Sequence, residues 1–168
     1  MLEATGRVLE RVTAPEVSAF FDRIHREKGV NIRTDTLVEA MSGDGRVREV
    51  ILADGESIPA DLVIVGIGIE PNTDLAAAAG LAVDNGVVID DQARTSDPDI
   101  VAAGDCAIHD MARYGRRIRL ESVPSAGEQA KVAAATICGK HKKIAALPWF
   151  WSDQYHLKLQ IACLLYTS

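Results

Sequence analysis

The sequence of 168 residues predicts an α/β fold. Apolar segments of strand length alternate with helix signals along the chain, and this alternation is typical of α/β architecture. The run Leu62–Val65 is apolar throughout, as expected of a strand buried on both faces of a sheet. Near the middle of the first half, a hairpin signal interrupts the alternation: Ser42-Gly43-Asp44-Gly45 separates two short apolar segments.

The first element is predicted to be a helix that begins at the capping box Thr13-Ala14-Pro15-Glu16. Apolar side chains then recur at helical spacing, and Gly29 supplies a stop signal. We interpret this stripe as core packing. Its members are Val17, Phe20, Phe21 and Ile24.

Two strands follow, around Thr36–Met41 and Val47–Leu52, and the turn Ala53–Glu56 leads toward the run Leu62–Val65. That run ends in Gly66-Ile67-Gly68-Ile69-Glu70-Pro71-Asn72, where two glycines permit close approach by a ligand or a crossing chain. A plain strand-to-helix turn explains the same glycines equally well. Asn72 or Thr73 is expected to cap a helix that begins near Asp74 and ends at Gly80.

After a further strand, Val87–Ile89, the segment Thr95–Asp105 is the most informative of the chain. It predicts a turn, a short apolar strand, and then Gly104 and Asp105 at the end of that strand. In open α/β sheets, ligands bind beyond the carboxyl ends of strands. A carboxylate there accepts hydrogen bonds from sugar-like hydroxyls, although strands ending in Gly-Asp also occur without any ligand.

Two later segments add weaker signals. Pro124 lies where the first turn of an Ala-rich helix is expected, and this helix should end at Gly139. Its positive N-terminus would stabilise negative charge on a bound group. In Pro148–Tyr155 the side chains Trp149, Phe150 and Trp151 are consecutive, and they either pack a domain junction or cover a planar cofactor.

Composition excludes several classes of protein. With 18 basic and 24 acidic residues the net charge is −6, which argues against non-specific nucleic-acid binding. No apolar run reaches the ~20 residues that a bilayer span needs, and no secretory signal opens the chain. The cysteines Cys106, Cys138 and Cys163 show neither a CxxC pair nor metal-ligand spacing, so we expect a reducing cytoplasm and no metal site.

Four segments together resemble the FAD-dependent pyridine nucleotide-disulfide oxidoreductases, and within them the ferredoxin-reductase branch. They are Gly66–Asn72, Thr95–Asp105, Glu121–Ala130 and Pro148–Tyr155. The resemblance implies part of a fold with two Rossmann-type units, one for FAD and one for NAD(P), followed by the start of an α+β C-terminal domain. It implies hydride transfer from NADH to FAD and then single-electron steps to a two-iron ferredoxin that serves a monooxygenase or a ring-hydroxylating dioxygenase. Such chemistry belongs to the cofactor and requires no catalytic side chain.

The resemblance also implies roles for single residues. Gly104 and Asp105 would hold the ribityl chain of FAD, and the backbone at Val123 would meet the pyrimidine edge of the flavin. Trp151 would lie near the flavin on the side that faces ferredoxin. Toward NADH, Glu3 would bind the hydroxyls of the adenosine ribose and disfavour the phosphate of NADPH, and Gly66, Ile67 and Gly68 would contact the nucleotide. Glu128 is assigned, more loosely, to the nicotinamide side.

By the same resemblance, residues 1–66 would be the C-terminal part of the NADH-binding domain and residues 67–146 the second half of the FAD-binding domain. Residues 147–168 would begin the C-terminal domain. Neither Gly-rich dinucleotide loop of the family occurs, so we expect an internal fragment that holds FAD poorly by itself. The last residues, Cys163–Ser168, read as a non-native extension.

A ferredoxin is usually acidic, so a basic docking patch is expected despite the negative net charge. The candidates are Arg113, Arg116, Arg117 and Lys131. A solvated charged face is the alternative for these residues. Two rival functions remain open: an NADH-dependent disulfide or peroxide reductase of the same fold, and a truncated chain that binds no cofactor.

Overall fold

The computed structural model describes residues 1–163, which form two compact units, 1–67 and 68–163. Each unit combines helix and sheet, so the predicted α/β fold class is confirmed. Of the predicted non-native extension only Cys163 is described, and the rest lies outside the described residues. In residues 1–163 no helix has both the length and the apolar character needed to cross a membrane.

The first unit contains one long helix and an antiparallel sheet of three strands. Helix α1 spans Pro15–Glu27, and the strands β1 (Val38–Gly43), β2 (Val47–Leu52) and β3 (Ser57–Pro59) lie in the order β1-β2-β3. The buried apolar side chains of this unit are Val8, Phe21, Ile32, Val50 and Leu52.

The second unit begins with the short helix α2 (Asp74–Ala78) and a mixed sheet of β4 (Val87–Ile89), β5 (Ala107–Met111) and β6 (Arg116–Arg119). Strands β4 and β5 are parallel, whereas β5 and β6 form a hairpin around the 3₁₀ helix Ala112–Tyr114. Helix α3 (Val123–Ile137) follows, and the hairpin of β7 (Trp149–Gln154) and β8 (Leu157–Ala162) comes last.

The core of the second unit joins helix α3 to the parallel strands. Val132 and Ala133 of α3 cluster with Ile89 of β4, Ala107 of β5 and the loop residue Ala93. Because Ala107 opens β5, this packing fixes the chain immediately after Gly104 and Asp105.

Helix α1 is confirmed, but its predicted capping box is wrong. Ala14 is the N-cap residue and makes no side-chain cap. The Thr13 hydroxyl instead donates to the carbonyl of Leu9 at 3.0 Å and contacts the Ser18 hydroxyl at 3.1 Å, because Thr13 lies one residue before the cap. Phe21 is buried, whereas Phe20 of the predicted stripe is 39% exposed.

The predicted buried strand Leu62–Val65 is wrong. Residues 60–72 form neither helix nor strand, and Leu62 and Ile64 are 78% and 89% exposed. No strand within residues 1–163 pairs with this run, and an isolated extended segment lacks the ladder bonds that make a strand stable. The turn before it leads instead into β3, which the sequence analysis missed.

The short apolar strand predicted before Gly104 is also wrong. Thr95 N–H donates to the Ile100 carbonyl at 2.9 Å and Ala102 N–H donates to the Ala93 carbonyl at 3.1 Å. These bonds close a tight loop in which only one bridge, between Arg94 and Val101, forms. Gly104 and Asp105 therefore precede a strand, β5, rather than follow one.

Candidate functional site

The Gly104-Asp105 turn presents a carboxylate to solvent. Gly104 has a φ of +91°, and no heavy atom lies within 4 Å of the position that a Cβ would occupy there. The Asp105 side chain is exposed, and its carboxylate accepts no hydrogen bond from residues 1–163. The turn thus combines an open backbone with an acceptor that has no internal partner, which fits a hydroxyl-bearing ligand.

Gln129 of helix α3 holds this turn from below. Its Oε1 accepts a hydrogen bond from the Gly104 backbone N–H at 2.7 Å, and its Nε2 lies 3.5 Å from the Ser125 hydroxyl. The side chain is fully buried. Gln129 was not predicted from the sequence, although its spacing of three and four residues from the buried Val132 and Ala133 marks it as a polar residue on the core face of the helix.

Arg119 of β6 holds the turn from the other side. Its Nη1 donates to the backbone carbonyl of Asp105 at 3.1 Å and pairs with the Glu121 carboxylate at 2.9 Å. The Arg119 side chain is only 9% exposed. Two long-range contacts, from α3 and from β6, therefore fix the backbone on each side of the Asp105 side chain.

The N-terminus of helix α3 offers a free donor. The Ser122 hydroxyl caps the helix by accepting from Ser125 N–H at 3.4 Å. Val123, at the first helical position, is 72% exposed, and its N–H has no acceptor within residues 1–163. A free N–H at the positive end of a fifteen-residue helix favours a partly negative oxygen of a ligand.

Glu128 has an internal role. One of its carboxylate oxygens, Oε1, accepts hydrogen bonds from the backbone N–H groups of Ala145 and Ala146, at 3.0 and 2.7 Å. These residues belong to the linker between α3 and β7. Glu128 thus fastens to helix α3 the segment that leads to the aromatic hairpin, and its role toward nicotinamide stays a prediction.

His109 of β5 lies beside Glu128 at a small cavity of about 70 Å³ that Ser125 and Trp149 also line. Its side chain is 4% exposed, and its Nδ1 has no hydrogen-bond partner among the described residues. Burial lowers the pKa of His109 below its usual range, while the charges of Glu128 and Asp110 act in the opposite direction. The imidazole is therefore held in its neutral form near neutral pH.

Trp149 and Trp151 lie on one face of the β7–β8 hairpin. In the register of the two strands, Trp149 pairs with Ala162 and Trp151 pairs with Gln160. Each is 43% exposed, and their ring centroids are 5.4 Å apart. The hairpin therefore presents an exposed aromatic face. Such a face suits contact with a planar group or with a partner protein.

In the first unit, the Glu3 carboxylate is held by Thr5. Glu3 Oε1 accepts from the Thr5 backbone N–H at 2.9 Å and from the Thr5 hydroxyl at 2.8 Å. Thr5 was not predicted from the sequence as part of the site. The other oxygen of Glu3, Oε2, accepts no hydrogen bond within residues 1–163 and remains available to a ligand.

The predicted contacts Gly66, Ile67 and Gly68 lie in the irregular segment after β3. Ile67 is 88% exposed, Gly66 has open space at its Cβ position, and Gly68 has a φ of +109°. The backbone of this segment is accessible, as contact with a ligand requires.

The basic residues near β6 differ in how their charges are used. The Arg117 guanidinium pairs with Asp84 at 3.2 Å and with Asp110 at 3.4 Å, so most of its charge is offset. Arg113, Arg116 and Lys131 are exposed, as is Arg117 itself. Arg117 therefore contributes less to a basic surface than its place in the sequence indicates.

The sequence of the chain matches a known protein family. Residues 1–130 match the family described as pyridine nucleotide-disulphide oxidoreductase, and the chain belongs to this family. The chain is 54% identical to putidaredoxin reductase of Pseudomonas putida over 164 residues, which are 96% of this chain and 39% of that protein. It is 49% identical to the ferredoxin reductase subunit of 5,5'-dehydrodivanillate O-demethylase of a Sphingobium strain, with 95% of this chain and 40% of that protein covered.

The fold agrees with a solved structure. The reductase chain in the crystal structure of a covalent putidaredoxin reductase–putidaredoxin complex superposes with a TM-score of 0.90 at 53% identity. The match covers 97% of this chain and 40% of that chain. This chain thus spans about 40% of the length of the relatives it matches.

Proposed function

We propose that this chain is part of an NADH-dependent, FAD-containing ferredoxin reductase of the cytoplasm. Its electrons would pass to a two-iron ferredoxin that serves a monooxygenase or a ring-hydroxylating dioxygenase. The observation that carries the proposal is the exposed Asp105 carboxylate on a turn that Gln129 and Arg119 hold in place. The matched relatives, named as ferredoxin reductases and putidaredoxin reductase, support the same activity.

The residues around the turn fit FAD. The free acceptors of Asp105 suit the hydroxyls of the ribityl chain, and the open space at Gly104 admits that chain next to the backbone. The free N–H of Val123 suits the carbonyl on the pyrimidine edge of the flavin. When bound, FAD supplies the conversion of a two-electron hydride donor into single-electron transfers. The protein binds and orients it.

For NADH, the residues proposed are Glu3, the segment Gly66–Gly68 and, more loosely, Glu128. The free Oε2 of Glu3 suits the vicinal hydroxyls of an adenosine ribose. We assign residues 1–66 to the NADH-binding domain, 67–146 to the FAD-binding domain and 147–168 to the start of a C-terminal domain. The division of the compact units between Ile67 and Gly68 supports the first of these boundaries.

For ferredoxin, the proposal places the aromatic face of Trp151 on the docking side, with Arg113, Arg116 and Lys131 as the basic contacts. Arg117 is a weaker candidate because its charge is offset by Asp84 and Asp110. A relative that the chain resembles is described in covalent complex with putidaredoxin, which supports a protein redox partner.

The test compares Asp105→Ala with Asp99→Ala in the full-length reductase that carries this chain. Asp99 is an exposed acid of the same loop whose carboxylate makes no hydrogen bond within residues 1–163, so it is a matched control. We expect Asp105→Ala to lose most of its bound FAD and its NADH-dependent reduction of ferredoxin, with the far-UV circular dichroism unchanged. The control should retain both. Full flavin content in Asp105→Ala would contradict the proposal.

A further inference from the structure

We propose that Thr5 is a positioning residue that sets how strictly the protein selects NADH over NADPH. It acts by holding one oxygen of Glu3 and leaving the other for the nucleotide. This inference rests on the proposed role of Glu3 in binding the adenosine ribose. It goes beyond that role because it assigns specificity to a residue that acts through Glu3 rather than as the ribose acceptor.

The two hydrogen bonds from Thr5 saturate one side of the Glu3 carboxylate. The backbone N–H and the hydroxyl of Thr5 both converge on Oε1, at 2.9 and 2.8 Å. The hydroxyl also lies 3.1 Å from the carbonyl of Arg7. Its single proton favours Glu3, because a bond to an ionised acceptor is shorter and stronger than one to a neutral carbonyl.

The backbone under this pair is fixed. Glu3 N–H donates to the Arg33 carbonyl at 2.9 Å, and Thr36 N–H donates to the Glu3 carbonyl at 2.9 Å. Asp35 N–H donates to the Thr5 carbonyl at 3.0 Å. The turn from Glu3 to Thr5 is thus pinned to residues 33–36, and the remaining freedom of Glu3 lies in its side-chain torsions.

With Oε1 engaged, Glu3 can offer a ligand only Oε2. A fixed carboxylate oxygen accepts well from a vicinal diol, whose hydroxyls are donors. The same fixed charge repels a 2′-phosphate, which replaces one donor by a dianion. A carboxylate that is free to rotate binds the diol less tightly, because the ligand must then order the Glu3 side chain. The same freedom weakens the repulsion of the 2′-phosphate, because the carboxylate can rotate away from it.

The experiment uses the FAD-loaded full-length reductase with three substitutions: Thr5→Val, Thr5→Ser and Glu3→Ala. Valine keeps the size of the side chain and the backbone N–H but removes the hydroxyl bond, whereas serine keeps that bond. Dissociation constants for NADH and NADPH are measured by titration under anaerobic conditions, with the FAD content and the maximal rate of flavin reduction as further readouts.

We expect Thr5→Val to weaken NADH binding about three- to tenfold, and NADPH binding less or not at all. The preference for NADH therefore falls, while the maximal rate and the FAD content stay at the wild-type level. Thr5→Ser should keep the wild-type preference. If Thr5 had only a structural role, Thr5→Val would weaken the binding of NADH and of NADPH by the same factor.

Two results would distinguish a failure of the inference about Thr5 from a failure of the proposed role of Glu3. If Thr5→Val keeps the wild-type ratio of the two dissociation constants while Glu3→Ala loses it, the inference about Thr5 is wrong and the proposed function stands. If Glu3→Ala also leaves both constants unchanged, the proposed role of Glu3 fails and the inference falls with it.

Discussion

The side chain of Gln129 accepts a hydrogen bond from the backbone N–H of Gly104 at 2.7 Å, and this bond joins helix α3 to the turn that carries Asp105. A fully buried glutamine is unusual unless its polar atoms are paired. Here the pairing has a functional consequence under the proposal. The helix whose N-terminus would meet the flavin and the turn whose acid would hold the ribityl chain are fixed to each other by one side chain.

Replacement of this side chain should therefore destabilise the second unit. Gln129→Leu keeps the volume but leaves Gly104 N–H without its acceptor, and we expect the free energy of unfolding to fall by about 1–3 kcal/mol. Urea denaturation followed by circular dichroism measures this change. Lys131→Leu, at an exposed position of the same helix, should stay within about 0.5 kcal/mol of the wild type. Equal effects in the two variants would contradict the role given to Gln129.

Glu128 should control the order of the linker before the aromatic hairpin. Glu128→Ala removes the acceptor of the Ala145 and Ala146 amides, and we expect faster hydrogen exchange at both amides because their bonds to the helix are lost. Exchange followed by NMR resolves the two sites.

Glu128→Gln is the matched control, since its amide oxygen still accepts hydrogen bonds. It should keep most of the protection against exchange. If Glu128→Ala leaves the exchange of both amides unchanged, the linker is ordered by other contacts.

His109 should make stability depend on pH near neutrality. Burial lowers its pKa in the folded state below the usual value of 6.5, so the unfolded chain binds the proton more readily. Stability is therefore complete above pH 6.5 and falls as the pH decreases through 6.5 toward the folded pKa. Glu128 and Asp110 moderate the shift but do not reverse it.

Urea midpoints measured between pH 7.5 and 5.5 test this expectation. His109→Leu should lose less stability over that interval than the wild type, because the titrating group is gone. His141→Leu, at an exposed position, serves as the control for the removal of an imidazole. Parallel curves for His109→Leu and the wild type would mean that His109 does not titrate differently in the folded state.

The sequence predicted the elements whose signals are local. The termini of helix α3, the strand β4 and the turn before β2 depend on Pro124, on a short β-branched run and on Gly45, each of which acts within a few residues. The prediction of a buried strand at Leu62–Val65 was wrong, because a buried strand requires neighbouring strands. Apolar composition alone cannot show whether such neighbours exist.

The candidate site also combines local features that the sequence predicted with long-range contacts that it could not predict. The Gly-Asp motif and the capped start of α3 are visible in the sequence, whereas their connection through Gln129 and Arg119 depends on contacts between distant residues. Thr5 lies two residues from Glu3, yet its hydroxyl had no signal in the sequence, because threonines in turns bond in several alternative ways. Only the fold decides which partner the hydroxyl selects.

Gly86 should tolerate alanine less well than Gly80, another glycine of the second unit. It has a φ of +145°, and an added Cβ would lie 2.9 Å from the backbone carbonyl oxygen of Cys106 and 3.0 Å from Cδ of Arg119. That carbonyl accepts the Val87 N–H at 2.7 Å, where β4 begins to pair with β5. Since a backbone atom cannot move aside without disturbing this pairing, we expect Gly86→Ala to lower the free energy of unfolding by about 2–4 kcal/mol.

Gly80 is the matched control, because its φ of +75° is also positive but its Cβ position is open. Gly80→Ala should therefore cost only the left-handed strain of about 1–2 kcal/mol. Thermal and urea unfolding of the two variants measure the difference, and a Gly86→Ala variant no less stable than Gly80→Ala would show that the β4–β5 start is not as closely packed as described.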